Sequence, residues 1–356
     1  MKEMPIDVSS DCIKTSLEFM EKVRRYIFNK YRWNELLMDI IFEIMSDLEP
    51  FPEWARASIN IPVAGHQESQ NIYRTLLSYT AQGEYLDEFA WWHTFEINLF
   101  VNTPEPTPEN PYNWDETLRE IERFQSDFPH IHTNVVTRRL QKDFLDIGII
   151  RGIITDVHFL RNWVYPDHVI ISHDADQVAL HSRYIKDILA IFQDPDVQIF
   201  GGKVEEDPII HLNHPDLFVW ERFKQFQSKK LFNTPGANSA YRASAYIRVG
   251  GYQPVDGKCW EDNDLWQRIY CNSWDNKALG YYRGNGRVLR VVTHGRRIAG
   301  LLMQHGKIPG RHAWEEVYED GTSGIADFGP DDSYRNLQIY PDIQKLSSIL
   351  QDDASW

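Results

Sequence analysis

The chain has 356 residues, 42% hydrophobic and 25% charged, enough for one large domain or two modest ones with an ample core. Its 37 Lys and Arg against 52 Asp and Glu leave a net charge of −15, which argues against nonspecific nucleic-acid binding as the main activity. Three cysteines, Cys12, Cys259 and Cys271, are too few and too scattered for a disulfide framework or a four-ligand zinc site.

A reducing compartment therefore fits best. The opening "MKEMPIDVSSD" has no basic-then-apolar signal, and no apolar run is long enough to span a bilayer. The expectation is a cytoplasmic protein, with peripheral contact at the inner face of a membrane left open. Twelve tryptophans suit carbohydrate stacking as well as core packing.

Residues 12–48 carry apolar positions at helical spacing and read as two amphipathic helices, stopped by the prolines of "EPFPEW". They could dock on the main domain, form a homodimer contact or lie on a membrane, and docking is favoured. "SINIPVA" (58–64) reads as a strand, followed by "GHQES" and a helix from about Asn71. "FEINLFVN" (95–102) is a second strand that runs into the Pro-rich loop "TPEPTPENPYNWDE". A helix over 114–127, a strand at "IHTNVVT" and a helix within 143–163 lead to "HVIISHDAD". A helix over about 181–193, a strand at "VQIFGGKV" and a helix over 216–230 come next. This alternation predicts an α/β domain with a mostly parallel sheet, where ligands collect at the carboxyl ends of strands. No internal repeat or low-complexity segment is present.

Asp174 and Asp176 close the apolar run "VIIS" one residue apart, so in extended backbone both carboxylates point to one side. Like charges held that close need a cation between them. Two readings compete: Asp176 caps the next helix while Asp174 is solvated, or the pair holds Mg²⁺ or Mn²⁺, which use one or two carboxylates and leave other positions to water and phosphate. In "CWEDNDLWQRI" (259–269), Glu261, Asp262 and Asp264 resemble the acidic first turn of a helix. A carboxylate there, beside a cleft, can also accept a proton from a substrate hydroxyl. From Asn276 to Trp314 there is no Asp or Glu, while Lys277, Arg283, Arg287, Arg290, Arg296, Arg297, Lys307 and Arg311 all fall there. That reversal is a surface patch or a phosphate site. His294 ends the β-like run "RVVTH", as a loop residue or a further metal ligand.

The order "SINIPVAGHQES", "VIISHDADQVAL", "GANSAYRASAYIRVGGY", "WEDNDLWQRI" resembles the GT-A fold glycosyltransferases, most closely the family 2 type. The resemblance spans roughly residues 56–300. It implies a Rossmann-like, mostly parallel central sheet flanked by helices, with an N-terminal helical extension. The implied divisions are an N-terminal helical extension over 1–52, a catalytic domain over 53–300 and a C-terminal loop and helical extension over 301–356. Within the catalytic domain, the nucleotide-binding half ends at about residue 176 and the acceptor half follows.

The resemblance further implies an enzyme of the hexosyltransferase kind (EC 2.4), acting on a nucleotide sugar in glycoconjugate or polysaccharide synthesis. UDP-sugar is favoured as donor over GDP-sugar, and the acceptor is a carbohydrate, lipid-linked or other hydroxyl. Donor binding falls to Pro62, Val63, Ala64, Glu68, Asp174 and Glu261, with Arg151, Asn238, Arg296 and Arg297 as further candidates and Trp260 either stacking on a sugar ring or packing in the core. Metal binding falls to Asp174, Asp176 and His294, and the role of base in an inverting reaction to Asp262. Asn102 stands where an acidic residue contacting the base is usual. A retaining transferase, a sugar nucleotidyltransferase and an inactive GT-A-like binding module are the rivals. The nucleotidyltransferase ranks low because "PVAGHQES" lacks the Gly-rich basic loop such enzymes carry. "MQHGKIPGRHAW" (303–314), with Trp314, is a loop that closes over the donor or an ordinary connector.

Overall fold

The computed structural model describes residues 10–32, 34–48, 55–64, 68, 69, 71–82, 94–104, 116–140, 147–161, 166–206, 236–253, 261–271, 281–283 and 289–293. The helix expected over 216–230, the expected C-terminal extension, Trp260, His294, Arg296, Arg297 and Trp314 lie outside them.

Ten strands and eight helices are described. The strands are β1 (Ala57–Ala64), β2 (Phe95–Pro104), β3 (Thr133–Leu140), β4 (Val169–His173), β5 (Gln177–Leu180), β6 (Ile199–Gly201), β7 (Lys203–Glu206), β8 (Asn238–Arg242), β9 (Tyr281–Arg283) and β10 (Arg290–Thr293). The helices are α1 (Ser10–Tyr31), α2 (Glu35–Asp47), α3 (Ile72–Thr80), α4 (Glu116–Asp127), α5 (Ile147–Leu160), α6 (Tyr184–Ile191), α7 (Ala243–Arg248) and α8 (Glu261–Cys271).

The main sheet runs β3-β2-β1-β4-β8-β6-β9, and a second runs β5-β10-β7. Strands β1 to β4 are mutually parallel, β8 is antiparallel to β4 and β6, and β9 is parallel to β6. This is the mostly parallel, helix-flanked architecture the resemblance implies. The chain lays β1, β2 and β3 outward in one direction and then returns to place β4 on the other side of β1. The order reverses between β1 and β4, and the crevice beyond their carboxyl ends is where an open α/β sheet takes its ligand.

Both faces of the sheet are covered. Ile59, Ile61 and Val63 of β1 and Ile97, Leu99 and Val101 of β2 pack with Ile72, Leu76 and Tyr79 of α3, Ile121 and Phe124 of α4, and Ile185 and Ile188 of α6. On the opposite face Phe100, Val136, Ile170 and Tyr241 meet α5, α1 and α2 through Ile153, Val157, Val23, Ile27, Ile41 and Ile44. The two N-terminal helices therefore dock on α5, as the favoured reading of residues 12–48 expects.

Alternation in β1 and β2 would ordinarily mark one face as solvated. Here the polar face is buried as well. Asn60, Asn98 and Asn134 sit side by side across three strands, and Asn134 Nδ2 donates to Asn98 Oδ1 at 2.8 Å while Asn98 Nδ2 donates to Asn60 Oδ1 at 3.2 Å. Glu96, one pleat away, receives Arg161 at 3.0 Å and lies 3.0 Å from His158 Nδ1. Burial opposes charge on Glu96, but His158 and Arg161 keep its carboxyl well below the usual carboxylate range. Every polar group in this layer needs a partner there, because none can reach water.

Two local expectations shift. "VQIFGGKV" is not one strand: Gly202 divides β6 from β7, and the chain passes there from the main sheet to the second. A Cβ at residue 202 would overlap the buried Asn238 side-chain amide, so glycine leaves the space that this side chain fills. The segment after Asp176 also forms β5 before the helix expected over 181–193 begins at Tyr184.

Candidate functional site

Strand β1 carries Pro62 near its carboxyl end. Pairing of β1 with β4 covers only Ala57–Asn60, so Pro62 falls beyond the last β4 partner. A proline has no N–H for a ladder and fits a central strand only past such a break. Pro62, Val63 and Ala64 continue beside β2, facing Phe100, Val101 and Asn102 in register, and Val63 is fully buried. The end of β1 thus parts from β4 at the point where the strand order reverses.

Asp174 and Asp176 lie in the turn between β4 and β5. Asp174 is half-exposed and Asp176 is buried. Beneath them, His173 is closed off between Tyr79 Oη at 2.6 Å and Tyr184 Oη at 3.0 Å. Tyr184 in turn donates to Asn238 Oδ1 at 2.5 Å, and Asn238 Nδ2 donates to the Leu289 carbonyl at 3.2 Å. The Asn238 side chain, with no exposure, is engaged in ordering the strand ends under the turn.

Strand β5 pairs with β10, and the ladder ends on Gln177 opposite Thr293. Those residues precede, in sequence, His294 on one strand and follow Asp176 on the other. The fold thus brings the end of the basic segment's β-run to the acidic turn, a juxtaposition that no short motif displays.

The cation beside Asp174 is Arg151. It stands in the second turn of α5, whose N-terminal end lies at the carboxyl edge of the sheet. Arg151 Nη2 donates to Asp174 Oδ1 at 2.5 Å, and Nη1 donates to Glu261 Oε1 at 2.6 Å, 110 residues away in the chain. Both Arg151 and Glu261 are buried, at 6% and 4% exposure, so the pairing operates at reduced dielectric. Burial works to lower the Arg151 pKa, but Asp174 and then Glu261 outweigh it and raise it, so the guanidinium stays charged.

Glu261 begins α8, and Asp262, half-exposed, accepts a hydrogen bond from the Gly236 backbone N–H at 2.7 Å. A Cβ on residue 236 would overlap the Arg151 guanidinium, so Gly236 approaches the cluster through bare backbone. Asp174 and Glu261 are thereby joined through one arginine, and Gly236 is tied to the same cluster through Asp262. Asp264 pairs with Arg268 within the helix at 2.6 Å, and Arg268 also donates to the Val249 and Gly251 carbonyls, closing the "VGGY" turn onto α8.

Glu68 lies at the foot of α3. Its carbonyl accepts from the Asn71 and Ile72 amides and its carboxylate from Asn71 Nδ2 at 3.3 Å. The Asn102 side chain accepts from the Leu140 amide at 3.3 Å and is buried, so it ties β2 to β3. Two carboxylates at one turn suit a hard divalent ion that keeps water and phosphate oxygens as its remaining ligands. Among the described residues no group of three or more His, Cys, Asp or Glu side chains is placed to hold a metal.

The bridging role of Arg151 is the feature that sequence reasoning missed. An arginine in the otherwise apolar "IGIIRGII" was the available signal, because a lone buried guanidinium requires a carboxylate.

No family model matches the chain, and no curated protein matches it. Solved structures do. One is a mannosyltransferase from Pyrobaculum calidifontis in complex with GDP-Man and Mn²⁺, with 14% identity over 86% of this chain and 81% of that one and a TM-score of 0.42. Another is glucosyl-3-phosphoglycerate synthase from Mycobacterium tuberculosis in complex with Mn²⁺, UDP-glucose and phosphoglyceric acid, with 13% identity over 76% and 85% and a TM-score of 0.38. A third is mouse xyloside xylosyltransferase 1 in its apo form, with 12% identity over 65% and 86% and a TM-score of 0.31.

Proposed function

We propose that this chain is a metal-dependent glycosyltransferase that moves a sugar from a nucleotide diphosphate, UDP-sugar favoured over GDP-sugar, to an acceptor hydroxyl with inversion. The observation that carries the reading is the meeting of Asp174 and Glu261 on Arg151 at the carboxyl end of β4, beside the point where the strand order reverses. A nucleotide sugar demands a crevice at such a point, acidic groups for a cation on its diphosphate, and a carboxylate facing the acceptor. The Asp174–Arg151–Glu261 cluster at the end of β4 supports this reading.

In this reading Pro62, Val63 and Ala64 form the wall for the nucleotide, with Glu68 following. Asp174 and Asp176 hold Mg²⁺ or Mn²⁺, with His294 as the further ligand. A bound divalent ion neutralises the charge that develops on the diphosphate as the anomeric bond breaks. Arg296 and Arg297 add positive charge at the same leaving group, and Arg151 is assigned as a donor to phosphate oxygens. Trp260 is assigned to the sugar side, which the buried Asn238 supports from beneath by holding the turn through Tyr184. Asp262 takes the proton of the acceptor hydroxyl as its oxygen attacks from the face opposite the diphosphate. Such general-base help contributes about 10²- to 10⁴-fold.

We place this activity in glycoconjugate or polysaccharide synthesis in the cytoplasm, with residues 53–300 as the catalytic domain. No described helix is long and apolar enough to cross a membrane.

The test is calorimetric titration of UDP and then GDP, with and without Mn²⁺, on the unmodified chain and on Asp176→Ala. Metal-dependent binding of one nucleotide, abolished in the variant, is the expected result. Absence of binding by either nucleotide with metal present would reduce the two aspartates to ordinary residues of the turn between β4 and β5, since the next helix begins only at Tyr184.

A further inference from the structure

We infer that Arg151 is a built-in counter-cation, a positioning residue that holds the Asp174–Glu261 pair in the metal-free protein and sets how tightly the turn takes a divalent ion. The inference rests on the metal-site reading above and goes beyond it, because it concerns what occupies the charge balance before metal arrives.

The geometry is specific. The two terminal nitrogens of the guanidinium are divided between two carboxylates that belong to different motifs, one bond each, at 2.5 and 2.6 Å. A lysine has a single charged atom and cannot reproduce this fork. Arg151 is fixed from behind by α5, in which Ile150 and Ile153 have no exposure and Gly152 lies against the Tyr252 side chain. Gly236 presents backbone alone to the guanidinium, and Tyr252 stands near enough to act on its charge. The arginine therefore has its place dictated by three neighbours, and the exposed end of the cluster is Asp174.

Asp174 cannot give its full charge both to the guanidinium and to a divalent ion. Entry of metal at the turn between β4 and β5 must weaken the Arg151–Asp174 bond, while the bond to the buried Glu261 remains. The N–H released from Asp174 then lies beside the metal-bound turn, where phosphate oxygens of a donor would accept it. Because Glu261 adjoins Asp262, the same arginine links occupancy of the turn to the start of α8. Arg151 works against the bare metal ion and with the metal–diphosphate pair.

The test measures Mn²⁺ binding by calorimetry, alone and with UDP or GDP, on the full chain and on Arg151→Gln, Arg151→Lys and Glu261→Gln, with melting temperatures in EDTA and in Mn²⁺. Arg151→Gln should bind Mn²⁺ alone about tenfold more tightly or better, as expected when a cation within a few ångströms of a carboxylate is removed. Its melting temperature should be lower than that of the unmodified chain in EDTA and recover more in Mn²⁺. Arg151→Lys should fall between.

Glu261→Gln leaves the guanidinium to Asp174 alone and should weaken Mn²⁺ binding, a sign opposite to that of Arg151→Gln. It carries the test if Arg151→Gln does not fold. Mn²⁺ affinity unchanged or reduced in Arg151→Gln, or unchanged in Glu261→Gln, while the unmodified chain binds Mn²⁺ with a nucleotide, overturns the inference and leaves the transferase reading standing. Failure of every form to bind Mn²⁺, with either nucleotide present, overturns both.

Discussion

Lys30 of α1 and Asp156 of α5 form an ion pair at 2.6 Å across 126 residues of chain. Tyr26 donates to the other oxygen of the same carboxylate at 2.6 Å, and Tyr31 donates to the oxygen that Lys30 holds. Asp156 has no exposure, and three donors surround its carboxyl group, the partners that a buried acid needs. This carboxylate fastens the N-terminal helices to the helix that carries Arg151.

Asp156→Ala should therefore cost about 3–5 kcal/mol, the range for leaving one partner of a buried pair alone. Replacing both members with apolar residues, Lys30→Met with Asp156→Leu, should recover part of that loss, since no charge is then stranded although the Tyr26 and Tyr31 hydroxyls lose their acceptor. Urea unfolding of the three proteins checks it. A loss below about 1 kcal/mol for Asp156→Ala would show that α1 is not anchored here.

Tyr26 also seats α1 on the "VGGY" turn. Gly250 and Gly251 both have positive φ, 84° and 65°, so alanine at either meets backbone strain of about 1 kcal/mol. They differ in what a Cβ would touch. At Gly250 it reaches the Gln253 amide at 3.1 Å, a side chain that can move aside. At Gly251 it would collide with the Tyr26 hydroxyl and the Tyr246 ring. Gly251→Ala should cost about 3 kcal/mol or more and Gly250→Ala about 1 kcal/mol. Equal melting temperatures for the two variants would refute the contact between α1 and this turn.

The sequence showed the strands and helices where apolar periodicity was strong: β1, β2, α4 and the helices within 12–48 lie where the pattern places them. It did not show β5, because four residues of mixed polarity become a strand only when β10, more than a hundred residues later, arrives to pair with them. Nor could it reveal that Glu96, Asn98 and Asn134 are buried, since an alternating strand reads as half-exposed unless a covering helix is known. For the site, "DAD" and "WED" were legible as acidic motifs. Their meeting depends on Arg151, whose partners lie 23 and 110 residues away, and local spacing carries no signal over such distances.

Asp262 separates chemistry from binding. Its carboxylate accepts a backbone hydrogen bond from Gly236, and asparagine can still accept that bond through its amide oxygen. Asp262→Asn should then lower stability by about 1 kcal/mol or less and leave Mn²⁺-dependent nucleotide binding within about twofold of the unmodified chain, a change under 0.5 kcal/mol. Sugar transfer should fall about 10²-fold or more if this carboxylate is the base. Loss of nucleotide binding in Asp262→Asn would move the residue from the acceptor side to the donor side.

His173 makes the fold sensitive to acid. Burial between Tyr79 and Tyr184 pushes its pKa down to about 3, and burial likewise lowers those of His158 and His168. The unfolded chain protonates each histidine near pH 6.5, whereas the native protein keeps His173 neutral until about pH 3. Between those limits the unfolded state binds more protons, so stability falls as pH drops below about 6.5. The slope for one such group approaches about 1.4 kcal/mol per pH unit at its steepest. Glu96, whose carboxyl is held below the ordinary range, adds a further loss once pH falls through the value it has in the unfolded chain. Urea midpoints at several pH values from 7 down to 5 should therefore decline steadily for the unmodified chain. In His173→Gln, which keeps a polar side chain between the two tyrosines, the decline should be shallower by up to one proton's contribution. An identical slope in both proteins would mean that His173 takes up its proton in the native state as readily as in the unfolded one, and that its enclosure by Tyr79 and Tyr184 is looser than 2.6 and 3.0 Å contacts require.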